Sequence, residues 1–140
     1  MRLGKDAKTK EIARVPLFAR CSKRELAQIA SIADEIDLRA GKVLTREGEQ
    51  GREFFVLLEG RVEIRKGGRR RDILEAGDFL GEIALVSRSP RTATATATAE
   101  TPVRALVIRD QEFRALIARL PAIQTKVLET LADRLAADAL

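Results

Sequence analysis

The residues from Gly81 to Arg91 carry the groups of this sequence that are best suited to bind an anion. Gly81 allows a backbone to approach a ligand closely, and Glu82 to Val86 can form one helical turn whose free N–H groups attract negative charge. Pro90 stiffens the chain before Arg91, whose guanidinium presents a fixed fork of donors that suits phosphate oxygens. The types and order of these residues predict a phosphate site.

Glu82 adds a second chemistry to the same segment. An ionised carboxylate only accepts hydrogen bonds, so Glu82 is suited to bind vicinal hydroxyls such as those of a ribose. Each residue alone also has a structural interpretation: Glu82 can complement a helix dipole, Arg91 can form an ion pair with it, and Gly81 can be a turn glycine. The function is therefore indicated by the combination.

Other chemistries find little support in this composition. The chain has no histidine, the commonest metal ligand and the general base of Ser-His-Asp sites. Cys21 is the single cysteine, which excludes an internal disulfide and a four-thiolate cluster. We expect Cys21 to be a small, partly buried side chain rather than a redox switch. We expect no metal, no cofactor and no catalytic residues.

The net charge of +5 is distributed unevenly. The first 24 residues hold eight Lys/Arg and two Asp/Glu, whereas the remainder is close to neutral. We therefore expect a solvated basic tail at 1–10 and a single domain at 11–140. Hydrophobic residues at 45% and charged residues at 34% are typical of a globular domain rather than of disorder. No apolar run approaches the roughly 18 to 20 residues of a membrane span, so we expect no membrane contact and a cytoplasmic location.

Glycines and short apolar runs organise the middle of the chain. Ser22 to Glu25 has the form of a capping box, which predicts a helix from about Lys23. From Ile36 onward, runs of about five residues between glycines indicate a β-sandwich, jelly roll or barrel. We expect a hairpin that joins 54–58 to 62–64 through Gly60, a solvated basic hairpin tip at 66–71, and a strand in the alternating Thr/Ala segment 91–99. Helical spacing returns after Asp110, the predicted N-cap, with a second helix from Pro121.

The segment from Phe79 to Ala93 resembles the phosphate-binding cassette of the cyclic nucleotide-binding domain family. This family includes bacterial catabolite activators, regulatory subunits of cyclic-nucleotide-dependent kinases and cyclic-nucleotide-gated channels. The resemblance extends from about Ile12 to Leu135 and includes the glycine pattern of 41–48, 54–60 and 77–79. It implies a mainly β fold, in which an eight-stranded, jelly-roll-like β-roll carries N-terminal helices and a C-terminal hinge or lid helix pair.

The resemblance also implies roles for individual residues. The phosphate would be bound by Arg91, Thr92, Ala84 and Ile83; the ribose by Glu82 and Gly81; and the base by hydrophobic walls at Ile64 and Leu74. Some family members cover the base with an aromatic residue of a C-terminal helix, but the last aromatic residue here is Phe113. Candidate lid residues are Arg134, Leu135 and Asp138, which otherwise are ordinary positions of an amphipathic helix.

The predicted function is that of a sensor rather than an enzyme. Such a sensor would bind a cyclic nucleotide. The Arg- and Ala-rich, bacterial-style composition favours cAMP over cGMP, although Thr92 is compatible with either purine. Binding would rearrange the C-terminal helices, and an unidentified effector protein or a second copy, in a homodimer through the last helix, would read the change. The sequence resembles a stand-alone bacterial type without a helix-turn-helix, so we expect no direct DNA binding.

Two alternatives remain at this point. A degenerate β-roll would serve as a protein-interaction or structural module without a ligand, but such relatives usually lose the glutamate or the arginine that this chain keeps as Glu82 and Arg91. A cupin-type enzyme shares the jelly-roll outline, but its metal requires histidines, and the sequence has none.

Overall fold

The computed structural model describes residues 5–98 and 100–139, and the side chains of 6–98 and 100–137. Helix α1 (Lys5–Ala13), a 3₁₀ turn (Pro16–Phe18) and helix α2 (Lys23–Ile32) precede the sheets. The predicted capping box is confirmed, because Ser22 Oγ accepts from the Glu25 N–H at 3.1 Å and Glu25 Oε1 accepts from the Ser22 N–H at 2.8 Å. The segment predicted to be a basic tail is helical from Lys5 onward, and the domain boundary between 10 and 11 stays a prediction.

Within the described residues, eight strands form two antiparallel sheets of four. The strands are β1 (Asp34–Leu38), β2 (Val43–Thr45), β3 (Glu53–Glu59), β4 (Val62–Lys66), β5 (Arg69–Leu74), β6 (Phe79–Leu80), β7 (Thr94–Ala97) and β8 (Val103–Arg109). One sheet has the order β1-β8-β3-β6 and the other β2-β7-β4-β5. The short helix α3 (Glu82–Ser87) lies between β6 and β7 in the chain, and α4 (Asp110–Arg119) and α5 (Pro121–Ala139) follow β8. The predicted mainly β fold, with eight strands and helices at both ends, is confirmed.

The hairpin predicted around Gly60 is wrong. Strand β3 pairs with β6 and β8, whereas β4 pairs with β5 and β7, so the chain passes from one sheet to the other at this glycine. Gly60 has a φ of 88°, and a Cβ there would lie 2.4 Å from the Pro102 carbonyl oxygen. The sequence indicated a sharp turn correctly. It did not indicate the partner, because β3 is an apolar strand buried on both faces rather than one half of an exposed ribbon.

Three other local predictions have mixed outcomes. The basic hairpin tip is confirmed, since β4 and β5 pair across Gly67 and Gly68, which have φ values of 60° and 78°. The strand predicted over 91–99 is only four residues long, and its last predicted residue, Ala99, lies outside the described residues. Asp110 is the first residue of α4, whose N-cap is Arg109.

Strand β3 separates two apolar clusters. Phe54 and Val56 face the helices, where Phe54 stacks on Phe113 of α4 with ring centroids 4.4 Å apart. Phe55 and Leu57 face the interior of the roll. Each buried side chain of this size contributes roughly 1.5–3 kcal/mol, which anchors α4 and the start of α5 to the first sheet. Further along α5, Leu135 is 49% exposed. No helix in the described parts of the chain is long and apolar enough to cross a membrane.

Candidate ligand-binding site

A cavity of about 180 Å³ lies beside α3, with walls from the second sheet, from β6 and from α5. Most of the residues that the sequence singled out line it: Gly81, Glu82, Ile83, Ala84, Arg91, Thr92, Ile64, Leu74 and Arg134. Leu135 does not line this cavity, and the side chain of Asp138 lies outside the described residues. The fold thus brings the predicted phosphate, ribose and base positions together around one space.

Arg91 reaches this cavity from the loop before β7. Its backbone is fixed on both sides, because the Arg91 N–H donates to the Glu49 carbonyl at 2.8 Å and its carbonyl accepts from the Gly48 N–H at 2.8 Å. The side chain passes directly over Gly51, where a Cβ would lie 1.9 Å from Arg91 Nε. The sequence analysis did not single out Gly51. A side chain at this position would clash with Arg91, so the need for glycine becomes apparent only once the arginine is placed above it.

The Arg91 guanidinium is buried, and no carboxylate of the described residues contacts it directly. Its side chain donates to two neutral acceptors, from Nη1 to the Gly81 carbonyl at 3.2 Å and from Nη2 to the Glu53 carbonyl at 2.6 Å. Among the ion pairs of the described residues, none includes Arg91. Burial lowers the pKa of Arg91, an effect that Glu53 and Glu82 partly offset from a distance. A guanidinium keeps its proton in proteins, so this site holds a positive charge that favours an anion.

Glu82, the first residue of α3, is completely buried and only half satisfied. Its Oε1 accepts from Arg134 Nη1 of α5 at 2.5 Å, whereas its Oε2 is buried and has no hydrogen-bond partner among the described residues. Arg134 also donates to the Phe79 carbonyl at 2.5 Å, and its guanidinium lies 5.3 Å from the centroid of the Phe79 ring. A buried carboxylate oxygen without a donor is costly, and a hydroxyl group of a ligand in the cavity would satisfy it.

Gly81 allows α3 to lie against Arg91. Its φ is 105°, and a Cβ there would lie 2.6 Å from the Glu53 carbonyl oxygen and 2.9 Å from Arg91 Nη1. The first N–H groups of a helix have no partner within the helix, and α3 begins at the cavity with Ile83 and Ala84 in its lining. Donors from the helix backbone and from the arginine therefore share one end of the cavity.

The C-terminal helices contact α3 at both of its ends. Arg134 of α5 binds Glu82 at the start of α3. At the other end, Arg114 of α4 donates from Nη2 to the Leu85 carbonyl at 2.9 Å and from Nε to Asp110 at 2.5 Å. The sequence analysis did not identify Arg114, because a polar residue on an amphipathic helix carries no signal of the carbonyl it binds. Any shift of α3 changes contacts to both helices.

Part of the cavity wall is apolar. Ile64, Leu74, Leu80 and Ala95 line it from β4, β5, β6 and β7. The cavity therefore has a cationic end, a hydroxyl-accepting carboxylate and a hydrophobic wall. A ligand that matches all three carries an anion, hydroxyl groups and a flat or apolar face.

Comparison with known proteins gives a consistent assignment. A family model described as a cyclic nucleotide-binding domain matches residues 35–120. The chain is 35% identical over 131 residues to a cAMP-dependent protein kinase regulatory subunit of Mycosarcoma maydis, covering 88% of this chain and 25% of that protein. It is 34% identical over 123 residues to a cyclic nucleotide-gated potassium channel of Rhizobium etli, covering 88% of this chain and 34% of the channel.

A structural comparison agrees with these matches. The structure of PKAR CBD2 with bound Sp-2Cl-cAMPS superposes with a TM-score of 0.80 at 22% identity, covering 99% of this chain and 96% of the other. This likeness establishes the fold. The chain spans only about a quarter to a third of the two relatives, the kinase regulatory subunit and the channel. Because the matched residues 35–120 include α3, Arg91 and all strands except the first residue of β1, the chain belongs to the cyclic nucleotide-binding domain family.

Proposed function

We propose that this chain binds a 3′,5′-cyclic nucleotide in the cavity beside α3, with cAMP favoured over cGMP, and that binding is signalled through α4 and α5. One observation carries the proposal: among the described residues, no carboxylate contacts the buried Arg91 directly, Oε2 of the buried Glu82 has no hydrogen-bond partner, and both side chains line the same cavity. A cyclic nucleotide supplies the two missing groups, because it combines a phosphate monoanion with a ribose hydroxyl.

The phosphate occupies the cationic end. Arg91 has guanidinium hydrogens beyond the two that bind carbonyls, and these donate to phosphate oxygens as charge-assisted hydrogen bonds. The other donors to the phosphate are the backbone N–H groups of Ile83 and Ala84 and the backbone N–H or hydroxyl of Thr92. The buried position of Arg91 supports this role, since a desolvated cation attracts an anion more strongly than an exposed one.

The ribose lies at Glu82, whose Oε2 accepts the hydroxyl that the cyclic phosphate leaves free. Gly81 supports this position by allowing the close approach of α3, and Ile64 and Leu74 provide the base wall. Arg134 has a role different from a simple cover over the base. It fixes Oε1 of the same carboxylate, so the ribose contact and the end of α5 share one residue.

The signal passes through the two contacts at the ends of α3. Movement of α3 toward a bound phosphate changes the bonds that Arg114 and Arg134 make to it, and the second half of α5 has few other apolar anchors. A ligand shifts such an equilibrium only by its difference in affinity for the two arrangements. Hydrogen exchange with and without cAMP tests this step: we expect the larger change at 111–137, and a change confined to 81–92 would contradict signalling.

The partner that reads the signal is proposed by class only. The relatives carry this domain within a channel and a kinase regulatory subunit, which supports an effector protein or an effector segment as the reader. A homodimer through α5 is the second candidate, since Leu128 and Leu135, seven residues apart, are 65% and 49% exposed. We propose no direct DNA binding and no catalysis.

Isothermal titration of the purified chain tests ligand binding. We expect saturable binding of cAMP at one site per chain, weaker binding of cGMP, and no binding of 5′-AMP of comparable strength, because the dianionic open phosphate does not fit the donors that face a cyclic diester. If no cyclic nucleotide binds at millimolar concentration while the chain is folded, the proposed function is wrong. The degenerate interaction module then becomes the better description.

A further inference from the structure

The segment 47–51, in the loop between β2 and β3, is attached to the rest of the protein by polar contacts. Residues 47–50 are all exposed, so no buried apolar side chain anchors them. Segments with few buried contacts open locally at a low free energy, and their order then depends on their hydrogen bonds. The partners of those hydrogen bonds therefore indicate what the segment positions.

Glu47 attaches the start of this segment to the second sheet at two points. Its Oε1 accepts from the Gly67 N–H at 2.9 Å, at the tip of the β4–β5 hairpin. Its own N–H donates to Thr94 Oγ1 of β7 at 2.9 Å. Glu47 and Gly67 are 20 residues apart in the chain, so this hydrogen bond joins two turns that are not neighbours in sequence.

The hairpin tip that Glu47 binds is itself braced. Arg65 of β4 donates from Nη1 to the Gly68 carbonyl at 2.9 Å and from Nε to Glu63 Oε1 at 2.6 Å. These bonds hold the turn on the side opposite to Glu47 in sequence and fix the position of the Gly67 N–H. Glu47 therefore binds an ordered point of the sheet.

The residues that follow Glu47 hold Arg91. The Gly48 N–H donates to the Arg91 carbonyl, and the Glu49 carbonyl accepts from the Arg91 N–H, both at 2.8 Å. Gly51, at the end of the segment, lies beneath the Arg91 side chain. If the segment shifts, the backbone of Arg91 shifts with it, and hydrogen bonds to an anion weaken steeply away from their best geometry.

We propose that Glu47 is a positioning residue for Arg91. Glu47 does not line the cavity; its carboxylate holds the segment that orients the arginine, and it makes phosphate affinity depend on the hairpin tip. The inference rests on the proposed function and adds to it a determinant of affinity that lies outside the ligand site.

Calorimetric titration of the full chain with cAMP tests this role. Glu47→Ala should weaken binding about fivefold, the loss that one hydrogen bond typically represents. Removal of a negative charge would by itself strengthen the binding of an anion, so a weaker affinity cannot come from the change in charge. Glu47→Gln keeps an acceptor oxygen for the Gly67 N–H and should bind within about twofold of wild type.

Glu75→Ala is the matched control. Glu75 is an exposed glutamate directly after β5; its carboxylate binds Arg61 and does not line the cavity. The variant removes the same charge and one polar contact, and its affinity for cAMP should stay within about twofold of wild type.

Hydrogen exchange of the nucleotide-free chain separates positioning of Arg91 from a local role. Glu47→Ala should speed the exchange of the Gly67 amide, which loses its acceptor, and also of the Gly48 and Arg91 amides. Glu47→Gln should restore all three. Faster exchange at Gly67 alone, with unchanged affinity for cAMP, would mean that Glu47 orders only the hairpin tip, and the proposal would be wrong.

The possible failures are distinguishable. If the wild-type chain binds cAMP and Glu47→Ala binds it equally well, or if Glu47→Gln is as weak as Glu47→Ala, this proposal is overturned alone. If no cyclic nucleotide binds to the folded wild-type chain, the proposed function is overturned and this proposal with it.

Discussion

Arg91 and Arg104 are both largely enclosed by the protein, yet their surroundings are opposite. Arg104 of β8 contacts carboxylates from three different elements: Glu11 of α1, Glu35 of β1 and Glu59 of β3. Hydrogen bonds to Glu11 and then Glu59 raise the pKa of Arg104. Arg91 binds two backbone carbonyls, and burial lowers its pKa. Arg104 thus contacts three carboxylates, whereas no carboxylate in the described part of the chain contacts Arg91 directly.

This difference separates a structural cation from a binding cation. The carboxylates around Arg104 connect α1 to the first sheet, so this cluster stabilises the packing of these elements. The Arg91 side chain is positioned by its packing against Gly51 and Gly81 and by hydrogen bonds to two carbonyls. These neutral contacts leave its positive charge available to a bound anion. Stability should therefore depend on Arg104 and ligand affinity on Arg91, and the following variants test that division.

Arg91→Ala should have the largest effect on binding. Loss of the guanidinium leaves a desolvated phosphate without its charge-assisted bonds, which costs on the order of 2–5 kcal/mol. Calorimetry should detect little or no binding of cAMP, while the free energy of unfolding stays close to that of the wild-type chain. Arg46→Ala, which removes the same charge from an exposed loop residue outside the cavity, is the control. Affinity within threefold of wild type would refute the assignment of Arg91.

Arg104→Ala should show the opposite pattern. Its removal takes away the guanidinium that Glu11, Glu35 and Glu59 share. Because Arg104 is 17% and Glu59 65% exposed, we expect a loss of only about 2 kcal/mol in unfolding free energy. Denaturant titration measures this loss, and cAMP affinity of the folded fraction should not change. A large loss of affinity with unchanged stability would mean that the two arginines are not divided in this way.

Glu82→Gln should have a smaller effect on binding than Arg91→Ala, about 1–1.5 kcal/mol for one hydrogen bond to the ribose hydroxyl. The loss should shrink for 2′-deoxy-cAMP, which lacks that hydroxyl, and this comparison is a double-mutant cycle with one partner on the ligand. Because the variant loses the Glu82–Arg134 ion pair whichever ligand is bound, the comparison of the two ligands also cancels that loss. Equal losses for the two ligands would assign Glu82 a structural role.

The sequence predicted the residues of the phosphate-binding cassette more accurately than the pairing of the strands. Gly81, Glu82 and Arg91 lie within eleven residues of one another, so their chemistry is readable locally, and the structure places them around one cavity. The pairing of β3 is not local, since its partners are β6 and β8. A turn glycine such as Gly60 indicates where a chain reverses but not which strand it then meets.

The missed residues share a physical reason. Gly51 is required only because Arg91 crosses it, Arg114 because it meets a carbonyl of α3, and Glu47 because it accepts from the Gly67 N–H of the hairpin tip. Each depends on a contact between segments far apart in sequence. The same limit explains Arg134, which the sequence identified as a lid candidate but whose ion pair with Glu82 appears only when α5 is packed.

Glu59→Gln should have the smallest effect on the free energy of unfolding. Its pH dependence tests whether the Arg104 cluster contributes to stability. The hydrogen bond to Arg104 lowers the pKa of Glu59 in the folded chain, whereas the unfolded carboxyl titrates near its ordinary value of about 4.3. The ion pair therefore adds stability that is fully present above about pH 4.3 and is lost as the pH falls through the lowered folded pKa.

Because Glu59 is 65% exposed, the contribution should be less than about 0.5 kcal/mol and should shrink in high salt. Denaturant titrations of wild type and Glu59→Gln between neutral and acidic pH should show a constant small difference at neutral pH that closes in acid. Arg91 has no comparable acid dependence, since no carboxylate pairs with it directly among the described residues. A variant that is more stable than wild type at neutral pH would show that the neighbouring carboxylates repel Glu59 more strongly than Arg104 attracts it.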